Sequence, residues 1–190
     1  IGLVRYGFLG YDDGIDIALR VGTLTDSSLV ARVVGQQQII TVGSKALLRR
    51  TTIATPQDIG ELPAVVFRMP STGMIRPWHF SSQGGRLTEM HPTPLISFDD
   101  GEAMVAAVRA GLGVTQVPSY MVEAELASGE LVEILAQHRP PPLPLSAVYP
   151  GGQKNLPART RVFIDFLATL RIAPKLRAPG AAEPARRRRR

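Results

Sequence analysis

Three histidines, two adjacent acidic pairs and one hydroxyl-rich turn carry most of the reactive chemistry in this 190-residue chain. His79, His91 and His138 lie far apart, and no H-x₃-H or H-E-x-x-H spacing brings two imidazoles to one metal. Metal-assisted hydrolysis therefore has no support, and no metal ligand is assigned. There is no Cys, which excludes thiol catalysis, Cys-ligated zinc and disulfide scaffolds. Neither a G-x-S-x-G elbow nor a P-loop occurs. Gly111-Leu112-Gly113 runs on into Val114-Thr115-Gln116 and lacks the third Gly of a dinucleotide fingerprint. Ser71-Thr72-Gly73 could cradle an anion, but a polar loop after Pro70 explains it as well. Asp99-Asp100 and Asp12-Asp13 could do acid–base work, yet Asp99 stands where a cap is needed, directly before an apolar helix pattern. Trp78 could stack on a ligand or simply pack. A near-empty catalytic inventory, with no cofactor implied, favours a binding function over an enzyme.

The charge distribution narrows the class further. The formal net charge is +6, but residues 171–190 hold eight Lys+Arg against Glu183 alone, which is +7. Residues 1–170 carry 14 Lys+Arg and 15 Asp+Glu, which is −1. Phosphate binding needs positive charge clustered on the folded surface, so the body is not a nucleic-acid-binding module. Apolar residues at 44% and charged residues at 20% are ordinary for a globular chain with a sizeable core. No apolar run reaches the roughly 18–20 residues of a membrane-spanning helix, so no membrane partner is assigned. The first residues lack the ordered features of a signal peptide.

Short strands and helices alternate along the chain, which argues an α/β fold. Residues 15–21, 29–34, 38–42, 64–68, 113–117, 131–135 and 143–148 read as strands. Ser44 can cap a short helix over 44–50. Thr55 and Pro56 fit N-cap and N1 of another helix, with Asp58 at the capping-box position. Residues 70–98 are the least regular, and Trp78-His79-Phe80 followed by Gly84-Gly85 suggests a hairpin. The clearest helix spans 99–110, with Asp99 and Glu102 at capping-box spacing and Gly111 as its stop. Ser119 is expected to cap a helix to about Ala127. Val162, Phe163, Phe166, Leu167 and Leu170 form an apolar stripe on a helix starting near Pro157. Beyond Pro174 the composition turns to Ala, Pro, Gly and Arg, and order is expected to end.

Several stretches, in order, resemble one family. Gly14-Ile15-Asp16-Ile17-Ala18-Leu19-Arg20-Val21-Gly22 is similar to the G-hydrophobic-D-hydrophobic-A-hydrophobic-R-hydrophobic-G strand of the LysR-type transcriptional regulators, followed by Asp26 to Arg32. Thr55-Pro56-Gln57-Asp58-Ile59 resembles their T-P-x-D-L helix start, and Trp78-His79-Phe80 a W-x-F element of one large subgroup. Asp99-Asp100-Gly101-Glu102-Ala103, Gly111-Leu112-Gly113-Val114 and Pro118 resemble the D-G-E-A…aGlGi…lP block. Pro142 to Pro150 and Leu156 to Leu167 resemble the closing strand and helix. The resemblance covers about residues 11–170 and is to the C-terminal effector-binding domain.

That resemblance implies a type II periplasmic-binding-protein-like fold: two α/β lobes, two crossover strands and a cleft between them. It implies a remnant of lobe I in residues 1–36 and lobe II with the first crossover in 37–142. The return crossover and closing helix of lobe I fall in 143–172, and a disordered Arg-rich tail in 173–190. The resemblance finds no counterpart in the sequence for the family's N-terminal winged helix-turn-helix, and the first part of lobe I is expected to be missing. The family's SPAYL stands here as Gly43-Ser44-Lys45-Ala46-Leu47, which keeps Ser44 and loses the Pro. By matched position, Ser44, Phe67, Arg68, Phe98, Asp99 and Val114 are expected on the lobe II side of the cleft. Ser44 would donate a hydrogen bond, Phe67 and Phe98 would give apolar contact, and Arg68 would pair with an anion or simply end a strand. The implied protein is cytoplasmic and homo-oligomeric, senses a small anionic or aromatic effector, and meets DNA only through a helix-turn-helix domain. A transporter's solute-binding protein of the same fold and a non-functional remnant remain as alternatives from the sequence. Deleting residues 174–190 is expected to leave effector binding unchanged.

Overall fold

The computed structural model describes residues 17–22, 29–49, 51–70, 72–82, 84–150, 157–170, 172, 173 and 176. Most of the segment 1–36 expected to be a lobe I remnant, and most of the Arg-rich tail, lie outside the described residues. Two main sheets share the chain. The smaller is antiparallel, in the order β1 (Ala18–Val21), β10 (Leu143–Pro150), β2 (Leu29–Gln37), and α4 (Ala158–Thr169) packs on it. Ile17, Val34, Ala147, Ile164 and Leu167 form its core.

The larger sheet has the order β7 (Pro94–Phe98), β4 (Ala64–Phe67), β8 (Val114–Pro118), β3 (Ile39–Ser44), β9 (Leu131–Ile134). β4 runs parallel to β7 and β8, and β3 is antiparallel to β8 and β9. Strand alternation divides its apolar residues between two faces. Ile40, Val42, Val65 and Val117 meet Met104, Val105 and Val108 of α2 (Gly101–Arg109) on one face. Ala64, Val66 and Val114 meet Trp78, Phe80 and Ile59 on the other. Trp78 and Phe80 belong to β5 (Trp78–Ser81), which pairs only with β6 (Leu87–Met90). The W-x-F spacing thus puts both large rings on the buried side of a hairpin laid over the sheet.

Local signals explain most element ends. Ser44 caps the short α1 (Lys45–Leu48): its Oγ accepts from the Leu47 N–H at 3.3 Å. Gly111 takes φ 82° after α2, and Leu112 N–H reaches back to the Ala107 carbonyl at 3.1 Å, a Schellman closure that favours Gly. Three expectations need correction. The cap of α2 is Asp100, not Asp99. Asp100 is extended, and its Oδ1 accepts from Ala103 N–H at 2.8 Å, because the helix begins one residue later at Gly101. Ser119 caps no long helix. It is buried at the start of a 3₁₀ turn, Ser119–Val122, that precedes α3 (Glu123–Ser128), and its N–H donates to the Gln38 carbonyl. Residues Pro56–Glu61 form a 3₁₀ turn, where Asp58 Oδ2 accepts from both Ala54 and Thr55 N–H at 2.8 Å.

Described residues after α4 make further contacts. Ile172 forms a parallel bridge to Gly35, its carbonyl accepts from Gln36 N–H at 2.9 Å, and Leu176 packs against the α2-side core of the larger sheet. Leu176 thus adds an apolar side chain to the larger sheet's core. Only a Gly fits at 35: a Cβ there would collide with the Ile172 backbone carbonyl. Two predictions follow from these contacts. Leu176→Ser is expected to lower unfolding stability by about 1 kcal/mol, from partial loss of one Leu's burial, and Gly35→Ala should lower it as well by displacing Ile172; chemical denaturation measures both. Hydrogen bonds from Thr55 and then Ala54 hold the Asp58 carboxyl below its usual 3.8. The bonded carboxylate stabilises the fold above that value, and the contribution is lost as pH falls through the lowered one. Asp58→Asn should therefore weaken the protein near neutral pH and flatten the acid side of its stability profile.

Candidate functional site

A pocket of about 220 Å³ opens where the two sheets meet. Its walls come from the start of β3 (Ile39), the end of β4 (Phe67), the loop and hairpin that follow (Arg76, Pro77, Trp78, His79, Leu87), Gln116 of β8, and the return segment Pro140, Pro141 and Leu143. Sheet polarity dictates this place. Parallel strands β4 and β8 end at the same edge, and antiparallel β3 begins there, with Ile39 opposite Pro118. Ligand crevices in open α/β sheets lie beyond the carboxyl ends of strands.

The two crossing segments are fastened by buried side-chain amides. Gln38 Nε2 donates to the Pro140 carbonyl at 2.7 Å and to the Ile39 carbonyl at 3.0 Å. Gln37 Nε2 reaches the Gln38 carbonyl at 3.2 Å and Ser119 Oγ at 3.5 Å. Pro140, Pro141 and Pro142 have no backbone N–H, so the return segment passes the pocket with no donor left unmet. A tight turn delivers it: Leu135 is left-handed at φ 55°, His138 N–H donates to the Leu135 carbonyl at 2.8 Å, and Arg139 forks onto Glu133 at 2.6 and 2.7 Å. The charged pair is mostly buried, which fixes the geometry of the turn.

The pocket is apolar with few polar groups. Gln116 spends its amide on the protein: Oε1 accepts from His79 N–H, and Nε2 donates to the His79 carbonyl and Thr41 Oγ1. His79 Nε2 lies 3.5 Å from Glu89, which also meets His91 at 2.9 Å. Arg76 also lines the pocket, and its backbone N–H donates to the Phe67 carbonyl at 2.8 Å. Among the described residues no group of three or more His, Cys, Asp or Glu is arranged to hold a metal ion, and no helix is long and apolar enough to cross a membrane.

The six residues expected at the cleft separate. Phe67 lines the pocket. Phe98 pairs with Phe67 across β4 and β7, one strand away, and Asp99 is exposed just beyond it. Arg68 is engaged elsewhere: its guanidinium donates to the Gly73 carbonyl at 2.7 Å and to Ser97 Oγ at 3.2 and 3.3 Å, bracing the 69–76 loop. Ser44 and Val114 lie at the opposite edge of the sheet. Gly43 pairs with Val114 while Ile39 pairs with Pro118, four residues or about 13 Å along the strands. Ser44 Oγ is committed to its cap, and Val114 is fully buried. Sequence reasoning missed Arg76, Gln116 and the Pro run. Arg76-Pro77 directly before Trp78 was the available signal.

Comparison with known proteins decides the family. Residues 9–171 match the model of the LysR substrate binding domain. The chain belongs to the LysR substrate-binding domain family. It is 30% identical over 159 residues to the uncharacterized HTH-type transcriptional regulator YhjC of Escherichia coli K12, covering 82% of this chain and 52% of that protein. It is 29% identical over 155 residues to the HTH-type transcriptional activator AaeR of the same strain, covering 82% and 49%. The chain thus spans about half the length of the curated relatives it matches. The regulatory domain of CrgA, a LysR-type regulator from Neisseria meningitidis, superposes with a TM-score of 0.70 at 26% identity, over 86% of this chain and 81% of that one. The fold is accordingly periplasmic-binding-protein-like II, the architecture of LysR-type regulatory domains. In this LysR domain, Gln38→Leu should cost about 1–3 kcal/mol by leaving the buried Pro140 carbonyl without its donor, and calorimetric unfolding would register the loss.

Proposed function

We propose that this LysR domain is the effector sensor of a cytoplasmic, homo-oligomeric bacterial transcription regulator and is not an enzyme. DNA contact is the task of a helix-turn-helix domain, consistent with the names of its relatives. Residues 37–142 act as one lobe, and 143–172 with the residues before 37 as the other. A small anionic or aromatic molecule sits in the interlobe pocket and changes the preferred lobe arrangement, and through it the geometry of the oligomer on DNA. Such a molecule acts only as far as it binds one arrangement more tightly than the other.

The observation that carries this reading is the pocket's place and chemistry. It touches both crossing segments, so a bound molecule contacts the two parts whose relation must change. Phe67, Trp78 and Leu87 offer apolar faces, and Arg76 offers one cation. Arg76 is the anion anchor in this reading because it lines the pocket, whereas Arg68 braces the neighbouring loop through Ser97 and Gly73.

A thermal-shift and calorimetry panel of small carboxylates tests it. Benzoate is expected to bind, its neutral isostere benzamide to bind more weakly, and Arg76→Gln to weaken benzoate binding by about ten- to a hundredfold. That range is the worth of a charge-assisted hydrogen bond. A folded protein unresponsive to every carboxylate and aromatic in the panel would refute the assignment.

A further inference from the structure

We infer that Gln116 is a positioning residue for the pocket: its carboxamide stands in for a missing strand, latching the β5–β6 hairpin onto the larger sheet and so setting the pocket's width. The inference rests on the reading of this pocket as the binding site, and it adds which residue shapes it.

The reasoning begins with the hairpin's edges. β5 pairs with β6 alone, in the register Trp78↔Met90, His79↔Glu89, Phe80↔Thr88, Ser81↔Leu87. In an antiparallel pair, alternate residues turn their N–H and C=O away from the partner strand. His79 is such a residue, since both its backbone groups go to Gln116: N–H to Oε1 at 3.0 Å and carbonyl from Nε2 at 2.9 Å. Two residues on, the Ser81 carbonyl meets His138 Nδ1 at 2.9 Å, with the ring nitrogen as donor. The inner edge of the hairpin is therefore met by side chains, one from the central strand β8 and one from the turn before the return segment.

A side-chain amide has the donor and acceptor of a peptide group on a flexible stem. It satisfies the exposed edge while leaving space between hairpin and sheet that a real strand would fill. The pocket lies beside this junction, and Trp78, His79 and Leu87 of the hairpin line it together with Gln116. The third bond, from Gln116 Nε2 to Thr41 Oγ1 at 3.3 Å, fixes the amide's orientation from β3. Gln116 has no donor left over for a ligand. Its influence on binding is exerted through the wall it holds.

Hydrogen exchange on the full chain tests this without any ligand. In Gln116→Met, the His79 amide should exchange at least about tenfold faster, while amides of β3 and β8 keep their protection. Gln116→Glu retains an acceptor for His79 N–H and should fall between. Binding adds a second readout with benzoate and the larger 2-naphthoate as probes: the wild-type preference between them should shrink severalfold in Gln116→Met. Unchanged exchange at His79 would overturn the latch, as would uniform acceleration across the whole domain, since that marks a general loss of stability. If neither probe binds the wild type but His79 exchange still rises selectively, the latch stands and the ligand reading is what fails.

Discussion

Everything in this domain depends on carrying the chain twice between two sheets without stranding backbone polar groups at the crossing. Hydrogen bonding inside a sheet is automatic, whereas a segment passing between sheets has no ladder on which to satisfy itself. Here the return segment gives up its donors by being proline three times over, and the outgoing segment supplies donors from side chains. Gln37 and Gln38 are almost fully buried, a costly place for an amide unless every bond is made. Their bonds to Pro140, Ile39, Ser119 and each other fix the relative height of the two passes. The pocket follows from that fixed height, because Ile39, Pro140 and Pro141 of these segments line it.

Much of the architecture was legible in the sequence because it is written in local periodicity and punctuation. Ala64 to Phe67 is apolar on both faces, as a central strand is. Gly111 and Pro157 mark element ends by their own backbone preferences. Legibility fell where tertiary contact overrides local signals. Asp99 and Asp100 are chemically equal caps, and only the exit of β7 at Phe98 selects the second. Ser119 has the composition of a cap, but Pro118 is tied to Ile39 and draws it into the crossing. Leu176 lies within an Arg- and Pro-rich stretch, and nothing local announces that the bridge between Gly35 and Ile172 aims it at the larger sheet's core.

The site was less legible than the fold. Matched position named Phe67, which lines the pocket, and its strand neighbour Phe98, because residues at strand carboxyl ends can be counted from the strand. It put Ser44 and Val114 in the same group although antiparallel pairing sends them to the far edge, a fact of register that no single strand contains. It named Arg68, which directly follows β4, and did not weigh Arg76. Between the two the 69–76 loop folds back, with Met69 N–H donating to the Met74 carbonyl and Arg68 reaching Gly73. That reversal is a tertiary event, and Arg76 reaches the pocket only as its result.

The β5–β6 hairpin contributes three of the pocket's lining residues yet, among the described residues, shares no backbone ladder with the sheet beneath it. The outward side chains of β6 can therefore vary without breaking any backbone ladder of the main sheet. A frame of hydrogen-bonded strands is thereby separated from a surface that is free to diversify. Sequence change can accumulate on the hairpin while the sheet keeps its register.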